Sequence, residues 1–172
     1  GHAWAEDGHI DREKQLYQKR DAVETLLVVA GSASSTTAAQ IDWASDNGFL
    51  DVRLDTKALI DPNNVTDARS SAVETAVDAI EDNKSVVLYS ARGPDDPALA
   101  STRQHYDSLD IEDSLETRLG REQGKILREV LERTELTRAC VAGGDTSSHS
   151  IPKLDVRALE AIAPVGPGAP LC

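Results

Sequence analysis

Short apolar runs alternate along this chain with longer amphipathic stretches, and the alternation predicts strands separated by helices. Thr25 to Ala30 is a brief, β-branched apolar run, as expected of a strand buried on both faces. Ser35 to Asn47 reads as a helix that packs through Ala38, Ala39, Ile41, Trp43 and Ala44. Asn47-Gly48 stops it, because glycine accepts the left-handed cap. Phe49 to Leu54 alternates as a second strand. Asp61-Pro62-Asn63-Asn64 is a turn, and Thr66 or Asp67 caps a helix that runs through Ile80. In that helix Val73, Ala76, Val77 and Ile80 recur at three and four residues, which places one stripe against a sheet.

Ser85 to Tyr89 is the third strand, and Ser90 to Pro97 is too polar and proline-rich to continue it. Ser114 to Thr134 holds the longest predicted helix, with Leu115, Leu119, Ile126, Leu127, Val130 and Leu131 on one face. Gly120 and Gly124 weaken that helix by about 1 kcal/mol each relative to Ala. Either a close neighbour or simple tolerance accounts for them. Ala139 to Ala142 is the fourth strand, followed by a glycine turn and a short helix. Asp11 to Glu24 is charged and helix-permissive, and Ala158 to Ala163 is a candidate further strand. Pro164 to Pro170 reads as irregular.

This order favours an α/β fold, a three-layer α/β/α sandwich around a mostly parallel, Rossmann-like sheet. With 172 residues the chain suits one domain with a real core. Residues 1–24 are a lead-in, with Gly1-His2 resembling a cloning remnant, and residues 25–172 are the domain proper. A domain that stops on a proline-rich loop is expected to be a fragment.

Composition narrows the partners. A net charge of −12 argues against nucleic acid and against an anionic membrane surface, both of which call for clustered Lys and Arg. It leaves nucleotides open, since local backbone dipoles, a few cations and a metal offset the wider field. The longest apolar run, Leu26 to Ala30, is far short of the roughly 20 residues a membrane span needs. Cys140 and Cys172 make no disulfide framework, so a reducing cytoplasm is the default, and Cys140 is expected to be a small buried apolar residue.

The chemistry concentrates where the predicted strands end. Val141-Ala142-Gly143-Gly144-Asp145-Thr146-Ser147 runs from apolar residues into paired glycines, an acid and hydroxyls. Glycines let main-chain N–H groups approach a ligand closely, and a helix starting there would favour a phosphate. Gly31-Ser32-Ala33-Ser34 follows the first strand, and Ser90-Ala91-Arg92-Gly93-Pro94-Asp95-Asp96 follows the third. In a parallel sheet all three turns share one rim, the ligand-binding edge of such folds. Each also has a plain structural reading: Ser34 as a helix cap, the loop through Asp96 as a solvated turn, His149 as a packing residue. Asp95 and Asp96, adjacent beside proline, are a candidate Mg²⁺ pair, with a solvated turn as the favoured reading. The Gly-Lys-Ser/Thr ending of a P-loop, the Gly-x-Gly-x-x-Gly fingerprint, a nucleophile elbow and zinc spacing are all missing.

These segments carry a resemblance. Val29 to Ser34 with Thr37 and Gln40, Ser90 to Asp96, Gly120, Val141 to Ser147, and the Ile162-Ala163-Pro164 and Pro167-to-Leu171 ending occur in order. They resemble the C-terminal nucleotide-binding domain of the four-carbon acid sugar kinases, which include threonate, erythronate and 3-oxo-tetronate kinases. The resemblance implies ATP with Mg²⁺ and phosphorylation of the terminal hydroxyl of a four-carbon sugar acid. It implies nucleotide contacts at Ser32, Ser34, Ser90, Gly93, Gly143, Gly144, Asp145 and Thr146. For the transfer itself, Asp145 is the candidate metal-associated or base-like carboxylate and Arg92 the candidate to neutralise developing charge. The family's N-terminal substrate domain, with its Asp-Asp-x-Thr-Gly signature, has no counterpart here, nor does the Lys-Gly-Gly motif beyond the Pro-Gly-x-Pro-Leu segment. The sugar acid would therefore be met through a missing domain, and the isolated piece is expected to be inactive. A homodimer stays open. So do a non-catalytic nucleotide or sugar-acid sensor, a dinucleotide-binding domain and a structural module.

Overall fold

The structure, a computed structural model, describes residues 21–159, 162–166 and 169–172. Four strands form one all-parallel sheet: β1 (Leu27–Ala30), β2 (Leu50–Arg53), β3 (Val86–Tyr89) and β4 (Ala139–Ala142), in the order β2-β3-β1-β4. The helices are α1 (Ser35–Asp46), α2 (Thr56–Ile60), α3 (Val65–Glu81), α4 (Pro97–Asp107), α5 (Leu115–Arg133) and α6 (Gly144–Ser150). A 3₁₀ turn over Ile151–Leu154 follows α6. This is the expected three-layer, Rossmann-like α/β arrangement.

The strands alternate as pleated backbone requires. Leu27, Val29, Val86 and Leu88 are fully buried on one face against α3 and α5, through Val73, Ala76, Ile126 and Val130. Ala30, Val87 and Tyr89 turn to the other face, where Ile41 and Ala44 of α1 cover them. The loop after β1 therefore leaves toward one layer, while those after its neighbours β3 and β4 leave toward the other. Crevices open on both sides of β1 at the carboxyl ends of the strands, the usual ligand position in an open parallel sheet.

Several expectations need correction. Helices α2 and α4 lie in segments with no predicted helix. Asp55 caps α2, its Oδ1 accepting from Ala58 N at 3.0 Å, and Asp96 caps α4, accepting from Ala98 N at 3.0 Å. Pro97 is the first residue of α4, where its fixed φ and missing N–H favour a helix rather than break one. Residues 21–24 are not helical, and the remainder of the expected Asp11 helix, residues 11–20, lies outside the described residues.

The strand expected at Ala158 to Ala163 is displaced. Residues 156–159 are irregular, and β5 (Ala163–Gly166) pairs antiparallel with β6 (Ala169–Leu171) in the proline-rich segment expected to be irregular. A two-stranded ribbon has free edges everywhere, so Pro164 opposite Pro170 can sit in it. This hairpin belongs to a compact unit separate from Val23–Val156, which holds the sheet and its helices. Cys140, expected to be buried, is exposed on the outer strand β4, although surrounding protein atoms still desolvate its thiol and push its pKa up.

The two glycines of α5 are explained by the neighbouring helix. A Cβ on Gly120 would stand 2.6 Å from His149 Cβ, and one on Gly124 would stand 2.7 Å from Ser150 Cα and O. Both distances are shorter than atoms tolerate, so the missing side chains let α6 lie directly on α5. Ser150, fully buried, donates its hydroxyl to Gly120 O at 2.9 Å and fixes the contact. His149 is thereby a packing residue.

Candidate functional site

The ends of β1 and β4 are tied together by their backbones: Gly31 N donates to Ala142 O at 3.0 Å, and on the other side Ser90 N donates to Ala30 O at 3.1 Å. Three of the chain's polar turns thus start from one short stretch of sheet edge. Gly143 adopts φ +125°, a conformation glycine alone takes easily, and this turns the chain from β4 into α6. A Cβ on Gly143 would lie 3.2 Å from Ser32 N, so the two turns are in contact. At Gly31 a Cβ would overlap the Thr146 hydroxyl, which sits against that backbone.

Gly143 gives α6 no side-chain cap. The first-turn N–H groups of a helix have no intrahelical acceptor, so here they are left for solvent or a ligand. Gly144 and Asp145 are exposed, and a Cβ on Gly144 would meet nothing within 4 Å. Thr146 is buried. Ser147 returns its hydroxyl to Gly143 O at 2.7 Å, which stiffens the turn.

Beside this turn lies a cavity of about 260 Å³. It is lined by Gly31, Ser90, Asp145 and Thr146 from the strand ends and α6, and by residues of α4 and α5, including Leu99, Leu119 and Gln123. The structure therefore brings together Ser32, Gly143 and Thr146 at the turns, and Ser90, Asp145 and Thr146 around one cavity.

Other sequence candidates are occupied elsewhere. Ser34 is the N-cap of α1, its hydroxyl accepting from Thr37 N at 3.1 Å, and Ser32 Oγ accepts from Ser34 N at 3.3 Å. Gly93 serves a tight turn at φ +96°, against Ala38. Arg92 is not brought to the cavity. Its guanidinium stacks on Tyr89, 5.0 Å from the ring centroid, and pairs with Asp51 and, at 3.6 Å, with Asp42. These carboxylates on β2 and α1 hold it on the far side of β3 from the β4 turn.

Asp96 is likewise a fold residue. It pairs with Arg53 at 2.8 Å and accepts the N–H groups of Arg92 and Ala98 at 2.6 and 3.0 Å. Burial opposes its charge, but these donors outweigh burial and hold the carboxyl below its usual range. Asp95 is exposed, while the Asp96 carboxylate is taken up by these donors. Among the described residues no group of three or more His, Cys, Asp or Glu is arranged to hold a metal. Two carboxylates line the cavity, Asp145 and Glu116, and because Glu116 is paired with Arg103 at 2.6 Å, Asp145 is the one open to a cation. That suits Mg²⁺, which is commonly held by one or two carboxylates together with substrate phosphates and water.

Gln123 was missed. It is 2 % exposed, and its Nε2 has no hydrogen-bond partner. The available signal was its position: it lies four residues after Leu119 and three before Ile126, on the buried stripe of the longest helix.

The comparisons with known proteins give the family. The family described as "Nucleotide-binding C-terminal domain" matches residues 27–172, which include every turn of the site. The chain belongs to that family. Among curated proteins, a 3-oxo-isoapionate kinase of Paraburkholderia graminis is 36% identical over 157 residues, covering 88% of this chain and 33% of that protein. The nucleotide-binding domain thus spans about a third of the length of the curated relative it matches. The resemblance to the corresponding domain of the four-carbon acid sugar kinases stands. No helix among the described residues is long and apolar enough to cross a membrane.

Proposed function

We propose that this nucleotide-binding domain holds ATP on the turns after β1 and β4, with Ser90 at the end of β3, and serves a kinase that phosphorylates the terminal hydroxyl of a four-carbon sugar acid. The observation that carries the reading is the junction of Gly31, Ser32 and Gly143-Thr146 beside one cavity. The family match supports nucleotide binding, and the 3-oxo-isoapionate kinase supports a phosphotransferase.

Phosphoryl transfer asks chiefly for positioning and for neutralisation of phosphate charge. The free first-turn N–H groups at Gly144 and Asp145 supply donors without a side chain in the way. The hydroxyls of Ser90, Thr146 and Ser32 add further polar contacts at the same rim. The Asp145 carboxylate is the group we assign to Mg²⁺ or to the proton of the attacking hydroxyl. Bound Mg²⁺ would neutralise charge on the transferring phosphate. Contacts to the sugar acid fall to residues outside this domain.

Calorimetric titration with Mg·ATP, with NAD as competitor, tests the binding reading. Heat with ATP that NAD does not displace is expected, and no heat at millimolar ATP rejects it. For transfer, this chain is combined with the remainder of the 3-oxo-isoapionate kinase. ADP release should then require that kinase's own substrate, and no release would reject the phosphotransfer role of this domain.

A further inference from the structure

The cavity beside the turns has an interior that the phosphate reading does not use. Buried side-chain donors are nearly always paired, because leaving one without a partner costs about 1–3 kcal/mol. Among the described residues three buried side-chain nitrogens lack a hydrogen bond: Arg69 Nε, Arg92 Nε and Gln123 Nε2. The first lies 2.9 Å from the Glu129 carboxylate, and the second belongs to a guanidinium whose other nitrogens are paired. Gln123 Nε2 alone has no such compensation, and Gln123 lines the cavity. The amide lies against Gly31, its Oε1 2.9 Å from where a Gly31 Cβ would stand.

The surroundings restrict what that amide can meet. Leu99, Leu115 and Leu119 give the cavity apolar walls. Arg103, the cation at this end, is paired with Glu116 at 2.6 Å, so the wall presents no uncompensated positive charge for a carboxylate or a phosphate. A volume of about 260 Å³ suits a ring system better than a ring system plus a triphosphate. A neutral, flat group with a hydrogen-bond acceptor on its edge fits all three constraints.

We infer that this cavity is the base subsite of the nucleotide, the heterocycle lying between Leu99 and Leu119 with an edge acceptor taking the free N–H of Gln123. The inference rests on the nucleotide reading above and extends it inward from the phosphate turns. Gln123 is then a specificity-determining contact.

The test compares Mg·ATP with Mg·tripolyphosphate, which has the phosphates and no base, by titration calorimetry on this chain. Wild type should bind both, with ATP at least tenfold tighter. Gln123→Leu should lose at least tenfold in ATP affinity, keep its tripolyphosphate affinity, and melt in the free state no lower than wild type, since it removes an unpaired donor. A purely structural glutamine would instead lower the free-state melting temperature. Leu99→Trp, at an exposed position on the rim, should block the cavity and give the same split without burdening the core. Equal affinity of wild type for the two probes, unchanged ATP binding by both variants, or parallel loss of both probes would overturn the base assignment. Binding of neither probe by wild type would overturn the nucleotide reading itself.

Discussion

The loop after β3 and the turn after β4 look alike in sequence, each with glycine, an acid and neighbouring polar groups at a strand end, yet the fold uses them in opposite ways. In Ser90 to Asp96 the polar groups are largely consumed internally. Arg92 is held by Asp51 and Tyr89, Asp96 by Arg53 and two main-chain N–H groups, and Gly93 by its turn. In Gly143 to Thr146 the N–H groups have no cap, Gly144 faces open space, and Asp145 is exposed. A polar loop whose partners lie within the fold stabilises the fold. One whose donors are left over is where a ligand can gain binding energy.

That contrast is most severely tested at Gly31, where the fold and the candidate site meet. Gly31→Val would drive a side chain into Thr146 and Gln123, so we expect a loss of about 1–3 kcal/mol or more in chemical denaturation, with ATP binding abolished. Retained stability and affinity would mean that the contact between the turns is not needed.

Asp96→Ala comes next and should affect the fold alone. Removing the cap should cost about 0.5–2 kcal/mol at pH 7 and leave ATP affinity within twofold. Because the folded-state pKa of Asp96 is depressed, its contribution is present above the unfolded value near 4 and is lost as pH falls through the folded value. The difference in melting temperature between mutant and wild type should therefore shrink below about pH 4. A constant difference would show that the cap does not act through its charge. Arg92→Ala should change nucleotide affinity less than twofold, and a tenfold loss would return Arg92 to the site.

Much of this organisation was legible in the chain. Continuous apolar runs such as Val86 to Tyr89, and the three- and four-residue recurrence from Val73 to Ile80, report local geometry and burial directly, so the sheet and α3 could be read off. The turns at Gly31 and Gly143 were legible as turns because glycine and hydroxyls after an apolar run mark where a strand ends. The assignments of Arg92, Ser34 and Gly93 to the ligand did not carry through to the cavity, because residue type does not reveal which carboxylate or N–H group lies across the sheet. The roles of Gly120 and Gly124 required knowing that α6 lies on α5, a contact between segments about 30 residues apart. Helix α4 was missed by treating Pro97 as a breaker when Asp96 marks it as a first-turn proline.

The smallest expected effect on stability belongs to Gly144→Val. Nothing lies within 4 Å of its Cβ position, so the melting temperature should stay within about 2 °C of wild type, at most a fraction of 1 kcal/mol. Nucleotide affinity should nevertheless fall by at least tenfold, since the new side chain covers the free N–H groups. A large drop in stability would place Gly144 with the fold-building glycines instead.

Backbone amide chemical-shift mapping during titration with Mg·ATP addresses the shared strand-end site most directly. We expect the largest shifts at Gly31, Ser32, Ser90 and Gly143 through Thr146, with little movement at Asp51 or in α3. Shifts that leave the β4 turn unmoved, or that centre on the loop around Arg92, would contradict it.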